Sequence, residues 1–441
     1  MITRIAPIAA TMLLTLTACG SDDETAAAGP NSTVTPVASL AAAAVDDLQA
    51  YWSEQFPALY GSEYVPLKGG VYALTASSTK WPECATEYAD VEGNAFFCQL
   101  DDSVSWDAEG LLPELQANFG DFVIPVVLAH EWGHAVQHRS GFFDENALTV
   151  SSELQADCFA GAWSRHARDS GLFQVSDDQL DDALAGVLDL RDAPGTSAED
   201  PSAHGSGFDR VAAFQDGYDN AAGRCKEYRD GEPTVLELPF EDAEEAASEG
   251  NAPYDSIVNG VPYDLEDYWT HVYPEITGGK PWVPLRALEP FDPANPPMCD
   301  GEADDDYTLF YCVPDDFVAW DNVEDMPEVY REGGDWAVGT LLATQYGLAA
   351  LTRMGDQSDD RTSTLRSDCL AGSYTASVML FNRAETSSFR ISPGDLDEGI
   401  TALLVFRGDG DVERQGHGFS RVRAYREGVL NGAEGCLTYQ P

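Results

Sequence analysis

The sequence has few basic residues. Lys and Arg number 24 against 76 Asp and Glu, which gives a formal net charge of -52 over 441 residues. A surface of this sign repels phosphate backbones and anionic headgroups, so it argues against nucleic-acid binding and against electrostatic binding to membranes. Such a charge mainly serves solubility, and a cationic substrate is the weaker alternative.

Long apolar runs are also scarce. Residues 1–18 hold one Arg, an apolar run from Ile5 to Leu16 and then small residues, a pattern typical of an export signal too short to span a bilayer. The junction Leu16-Thr17-Ala18-Cys19-Gly20 resembles the lipobox of bacterial lipoproteins, which implies that Cys19 becomes the lipidated first residue. We therefore expect a signal peptide over 1–18 and a polar tether over 19–39. The exported protein would then face outside the cytoplasm, held on the cell membrane by this lipid alone.

Other catalytic signatures are missing. The sequence contains no Gly-x-Ser-x-Gly elbow and no phosphate-binding glycine loop, so serine-hydrolase and nucleotide-dependent chemistry have no support. Of nine Cys, Cys19 is assigned to lipid, and the remaining eight form an even number that suits disulfides outside the cytoplasm.

The chain contains an internal repeat. Tyr51-Trp52 recurs as Tyr268-Trp269, and Arg210-Val211 recurs as Arg421-Val422. All four Cys of each half have counterparts, so the most economical pairing lies within each half, although four Cys allow three pairings. The expected pairs are Cys84 with Cys98, Cys158 with Cys225, Cys299 with Cys312, and Cys369 with Cys436. The predicted domains are 40–230 and a repeat over 261–441, joined by an acidic linker over 231–260.

Periodicity predicts an α+β fold with few strands and several helices. Strands are expected over 94–98 and 103–106. Helices are expected over 111–119, 122–139, 152–170 and 209–222.

One helix carries a metal-binding pattern, His130-Glu131-Trp132-Gly133-His134. The four-residue spacing puts both imidazoles on one face, where they can share a zinc ion, and Glu131 lies beside them as a general base. The third ligand is expected at Glu153 on the next helix. Asp157, one turn further on, can accept the second ring proton of a zinc-bound histidine.

Two structural readings compete with a catalytic zinc. The histidines could be satisfied by neighbours in a buried helix pair, or they could hold a four-coordinate structural zinc. Structural sites favour Cys and have no use for a base such as Glu131, so we favour catalysis. When bound, zinc activates water for attack on a peptide carbonyl, and Glu131 takes the proton from that water.

These segments, together with Asn94-Ala95-Phe96-Phe97-Cys98 and His204-Gly205-Ser206, resemble the neutral zinc metallopeptidase family of bacterial membrane-associated and exported proteins. The ligand order is similar to that of thermolysin-type peptidases, which implies a zincin-like fold and a peptide or protein substrate. By this likeness Asn94 and Ala95 lie on an edge strand that pairs with extended substrate. His204 and Arg210 stand where related enzymes stabilise the oxyanion, but a surface salt bridge is an equal alternative for Arg210.

The repeat has lost this chemistry. Thr344 and Gln345 stand opposite His130 and Glu131, and Leu348 and Thr364 replace the other two ligands. We therefore expect one Zn²⁺ per chain and a degenerate, pseudopeptidase second domain. A different function class stays open, in which the whole chain is a non-catalytic envelope lipoprotein that binds a peptide or a partner.

Overall fold

The computed structural model describes residues 2–3, 36–142, 149–200, 202–230, 235–236, 238–303, 307–407 and 410–440. The predicted lipidation site Cys19 lies outside these residues, as does most of the predicted signal peptide and tether. Ile2–Thr3 pairs as a short strand, β1, with a strand near the middle of the chain. If the predicted signal peptide is removed, that pairing exists only in the precursor.

The N-terminal half, residues 37–230, is mostly helical with a small sheet, which confirms the α+β class. Its helices and strands follow one another in the order α1 Val37–Tyr60, β2 Gly70–Leu74, β3 Ala95–Cys98, β4 Ser103–Asp107, α2 Leu111–Phe119, α3 Val123–Ser140, α4 Thr149–Ser170, α5 Asp177–Asp189 and α6 Gly207–Cys225. The sheet order is β2-β4-β3, with β2 parallel and β3 antiparallel to β4.

The C-terminal half, residues 254–440, has the same order of main elements. A short helix, α7 Ala243–Ala247, precedes it. The elements are α8 Tyr254–Thr277, β5 Ala287–Phe291, β6 Met298–Cys299, β7 Glu302–Ala303, β8 Tyr307–Cys312, β9 Phe317–Asp321, α9 Asp325–Gly333, α10 Asp335–Met354, α11 Asp360–Met379, α12 Asp395–Leu404, α13 Asp411–Gln415, α14 Gly418–Asn431 and α15 Ala433–Cys436. β5 is parallel and β8 antiparallel to β9, as in the first sheet.

Equivalent Arg–Asp ion pairs connect α3 and α10 to the loops that precede β4 and β9. Arg139 contacts Asp102 at 2.9 Å, and Arg353 contacts Asp316 at 2.8 Å. The four disulfides pair within each half as predicted.

Glycines allow the helices that carry the site to cross closely. A Cβ on Gly217 of α6 would lie 1.8 Å from the carbonyl oxygen of Cys158 on α4, and the equivalent Gly428 meets Cys369 at the same distance. These positions therefore exclude any side chain. The crossing brings residues of α4 and α6 side by side behind the histidines of α3.

The two halves share a core. Buried apolar side chains from Leu40 to Cys436 belong to one continuous cluster. The predicted linker includes α7 and the first turns of α8, and its residue Ala252 donates its N–H to Asp335 at 2.7 Å. A division into two separate domains therefore stays a prediction. Within the described part of the chain, no helix is long and apolar enough to cross a bilayer.

Candidate metal centre

Three side chains converge at the junction of α3 and α4. His130 Nε2 lies 3.1 Å from Glu153 Oε2, His134 Nε2 lies 3.4 Å from the same oxygen, and the two Nε2 atoms are 3.2 Å apart. Ligands about 2.0–2.1 Å from a tetrahedral zinc are separated by about 3.3 Å. The triangle formed by His130 Nε2, His134 Nε2 and Glu153 Oε2 therefore fits a zinc ion. It brings together the three ligands that the sequence predicted.

The local sequence explains why α3 and α4 come so close. A Cβ on Gly133, inside the metal-binding pattern, would lie 2.8 Å from the Cα of Ala156 on α4. The missing side chain lets Glu153 reach both histidines. α3 itself is apolar on nearly every face and ends at Gly141, whose φ of 76° suits glycine.

Each histidine is oriented by a partner on its other ring nitrogen. His130 Nδ1 lies 2.7 Å from Asp157 Oδ1, as the sequence predicted, and His134 Nδ1 lies 2.9 Å from Gln137 Oε1. Both contacts leave Nε2 directed at the triangle. Gln137 was missed, although its position three residues after His134 on the same helix face was a usable signal.

Negative charge surrounds the triangle. Burial opposes the charged form of His130, but Asp157, Glu153 and Glu131 outweigh it and raise the pKa of His130 to about 10. Burial also opposes ionisation of Glu153, yet the two histidines hold the pKa of Glu153 well below its usual value. The site therefore favours a cation at its centre.

Glu131 lies beside the ligands without being one of them. Its side chain is buried, and burial raises the pKa of its carboxyl group, opposed by both histidines and by a hydrogen bond from the Phe97 backbone. A raised carboxyl pKa suits a group that accepts a proton and later releases it.

A cavity of about 590 Å³ opens over the triangle, and its lining includes Asn94, Ala95, Glu131, His204 and Arg210. β3 lies at the edge of its sheet, with β4 as its strand neighbour among the described residues. The family resemblance placed Asn94 and Ala95 on this edge strand; Ala95 is its first residue, and Asn94 directly precedes it. The His204 side chain is half exposed at the cavity, with Nδ1 3.4 Å from Asp192.

Arg210 is buried behind the triangle. Its Nε and Nη2 donate to the two oxygens of Asp157 at 2.8 and 3.0 Å, and its Nη1 donates to the Leu190 carbonyl. The guanidinium is thus engaged with the residue that orients His130. The sequence predicts Arg210 either beside the oxyanion or in a surface salt bridge, and the observed ion pair is instead buried.

Other groups in the described residues also approach one another closely enough to hold a cation. Cys299 and Cys312 are joined in a disulfide, so they offer no thiolate. The remaining two groups consist mainly of carboxylates, which suit calcium better than zinc. They are Asp178 with Asp181 and His417, and Asp335 with Asp395 and Glu398.

A family model described as "Putative neutral zinc metallopeptidase" matches residues 2–228. The chain belongs to this family. The match supports hydrolase chemistry with zinc, and it covers the half that holds the ligand triangle.

Two curated relatives of this metallopeptidase family member cover less of it. "Uncharacterized protein YpfJ" of Escherichia coli K12 is 31% identical over 147 residues, covering 28% of this chain and 50% of the relative. "Uncharacterized protein Rv2575" of Mycobacterium tuberculosis H37Rv is 30% identical over 155 residues, covering 30% of this chain and 53% of the relative. The chain therefore spans about half the length of the curated relatives it matches. No solved structure matches it.

Proposed function

We propose that this chain is an exported zinc-dependent endopeptidase. The proposal rests on the triangle of His130, His134 and Glu153, whose ligand atoms are separated by the distances expected around a zinc ion. Glu131 lies beside this triangle in an open cavity. When bound, zinc supplies a Lewis acid that activates water toward a peptide carbonyl.

The chain's own residues would transfer the proton, align the substrate and stabilise the oxyanion. Glu131 takes a proton from the attacking water and delivers it to the leaving amine. The outer edge of β3 at Ala95, with the preceding Asn94, aligns an extended peptide main chain along the cavity. His204, which lines the same cavity, donates to the developing oxyanion, whereas Arg210 acts through Asp157.

We further propose that the halves are two tandem zincin-like domains, the second a pseudopeptidase. The matching order of elements, sheet topology and disulfides supports this. Thr344 and Thr364 stand on α10 and α11, where α3 and α4 carry His130 and Glu153. The predicted lipobox and the four disulfides support an envelope location, with a lipid anchor at Cys19.

Metal analysis with peptide cleavage tests the function. Protein comprising residues 36–441 should hold one zinc after dialysis and should cleave a diverse peptide library. Stripping zinc should stop cleavage, and restoring zinc should recover it. His130→Ala should lose both metal and activity, whereas His271→Ala, on the exposed surface of α8, should lose neither. Zinc binding without any cleavage would favour the non-catalytic binding module.

A further inference from the structure

The two halves exchange helix caps. Asp397 of α12 accepts the backbone N–H groups of Gly207 and Phe208, at the start of α6, at 3.0 and 2.7 Å. In the opposite direction, Asp181 of α5 accepts those of Gly418 and Phe419, at the start of α14, at 2.8 and 2.7 Å. In both directions an Asp of one half caps a Gly-Phe pair at a helix start in the other half. Such reciprocal contacts are typical of the isologous interface of a two-fold dimer, but here they form within one chain.

Arginines repeat the exchange. Arg191 lies 3.3 Å from Asp397, and Arg407 lies 2.8 Å from Asp181. Both carboxylates are buried. Each half therefore places one buried carboxylate against a helix N-terminus and an arginine of the other half.

The cap from Asp397 acts on the helix that supports the metal centre. The first N–H groups of a helix have no partner within it. On α6, Ser206 Oγ accepts from Asp209 N at 3.1 Å, and Asp397 takes the two N–H groups before it. Arg210 is the next residue of α6 after Asp209, so the position of its side chain depends on a carboxylate from the other half.

From Arg210 the contacts lead to the metal ligands. Arg210 donates two hydrogen bonds to Asp157, and Asp157 Oδ1 lies 2.7 Å from His130 Nδ1. We infer that Asp397, which belongs to the half without the ligands, is a positioning residue of the metal centre. It holds the N-terminus of α6, through which Arg210 and Asp157 fix the ring of His130.

The reciprocal cap provides a matched control. Asp181 holds α14, whose Arg421 pairs with Asp368 at 2.9 and 3.0 Å in the same way. The position equivalent to His130 is Thr344, so the contacts that run from Asp181 through Arg421 and Asp368 end at no metal ligand. Removing either cap disturbs the same interface, but it is the cap from Asp397 that is connected to the zinc site through Arg210 and Asp157.

The experiment compares Asp397→Asn with Asp181→Asn in protein comprising residues 36–441. Zinc affinity is measured by competition with a chelator, and the visible absorption spectrum is recorded after Co²⁺ replaces zinc. The inference rests on the proposed zinc site but uses no peptidase assay. Asp397→Asn should weaken zinc binding about 3- to 10-fold, less than the loss of a direct partner of a metal ligand such as Asp157 would, and should alter the cobalt spectrum. Asp181→Asn should leave both readouts unchanged, although both variants melt at lower temperature.

Equal effects of the two variants, or an unchanged zinc affinity in Asp397→Asn, would overturn the inference. If Asp397→Asn does not fold, Arg191→Met and Arg407→Met give the same comparison with both caps in place. Arg191→Met should then bind zinc more weakly than Arg407→Met, and equal affinities would overturn the inference. Absence of zinc binding in the unsubstituted protein would instead defeat the proposed function itself.

Discussion

Arg210 donates two hydrogen bonds to Asp157, at 2.8 and 3.0 Å. Arg421 and Asp368 form the same buried pair in the half that lacks metal ligands. The pair is therefore part of the shared fold, and in the N-terminal half His130 joins it through Asp157. The pKa values reflect this difference: burial raises the pKa of Asp368 despite Arg421, whereas Arg210 and His130 overcome burial and lower the pKa of Asp157.

Substituting the crossing glycine should destabilise the protein. In Gly217→Ala the new Cβ would lie 1.8 Å from the Cys158 carbonyl oxygen, so α4 and α6 must move apart. We expect the free energy of unfolding to fall by about 1–3 kcal/mol. Gly223→Ala, on the same helix with its nearest atom 3.9 Å away, is the control and should cause no loss. Equal urea midpoints for the two variants would show that this crossing is not tight.

The disulfides should contribute unequally. Cys158–Cys225 spans 67 residues and Cys84–Cys98 spans 14, so the longer bridge removes more chain entropy from the unfolded state. Replacing the first pair by alanine should cost about 1.4 kcal/mol more than replacing the second. Thermal melting of the two double variants checks this. A larger loss from the Cys84–Cys98 variant would contradict it.

Much of the site follows from local sequence spacing, while the contacts between halves do not. His130 and His134 are one helical turn apart, and Glu153 and Asp157 are one turn apart on the next helix, so periodicity places each pair on one face of its helix, while the packing of α3 against α4 brings the pairs together. The strand β2 and the helices α1 and α5 were not predicted, and the first three residues of α1, 37–39, lie in the predicted tether. Asp397 caps Gly207 across 190 residues, a contact that no local pattern reveals.

Stability should fall as pH rises from mildly acidic to basic values. Burial raises the pKa of Glu398 to about 9 and that of Asp335 to about 6, above their usual 4.5 and 3.8. The folded state therefore binds more protons than the unfolded state between about pH 4 and 9, and stability decreases over that window. Glu398→Gln removes one such group, so its melting temperature should fall less between pH 5 and 9. An equal fall in both proteins would remove Glu398 as the cause.

Lipidation can be tested separately from catalysis. The full chain, expressed in a bacterial host, should be recovered in the membrane fraction and should incorporate labelled fatty acid. Cys19→Ser should abolish the labelling, because the lipid is attached to that thiol. Cys84→Ser with Cys98→Ser is the control and should keep the label. Labelling that survives in Cys19→Ser would contradict the predicted lipobox.

In the proposed mechanism Glu131 is the general base at a zinc held by other residues. Its most direct test is to measure zinc content and peptide hydrolysis together on Glu131→Gln. We expect one zinc per chain, as in the unsubstituted protein, and a loss in turnover of about 10²–10⁴-fold. Undiminished hydrolysis with zinc retained would contradict the assignment of Glu131. Loss of the metal in this variant would show instead that Glu131 helps to hold it.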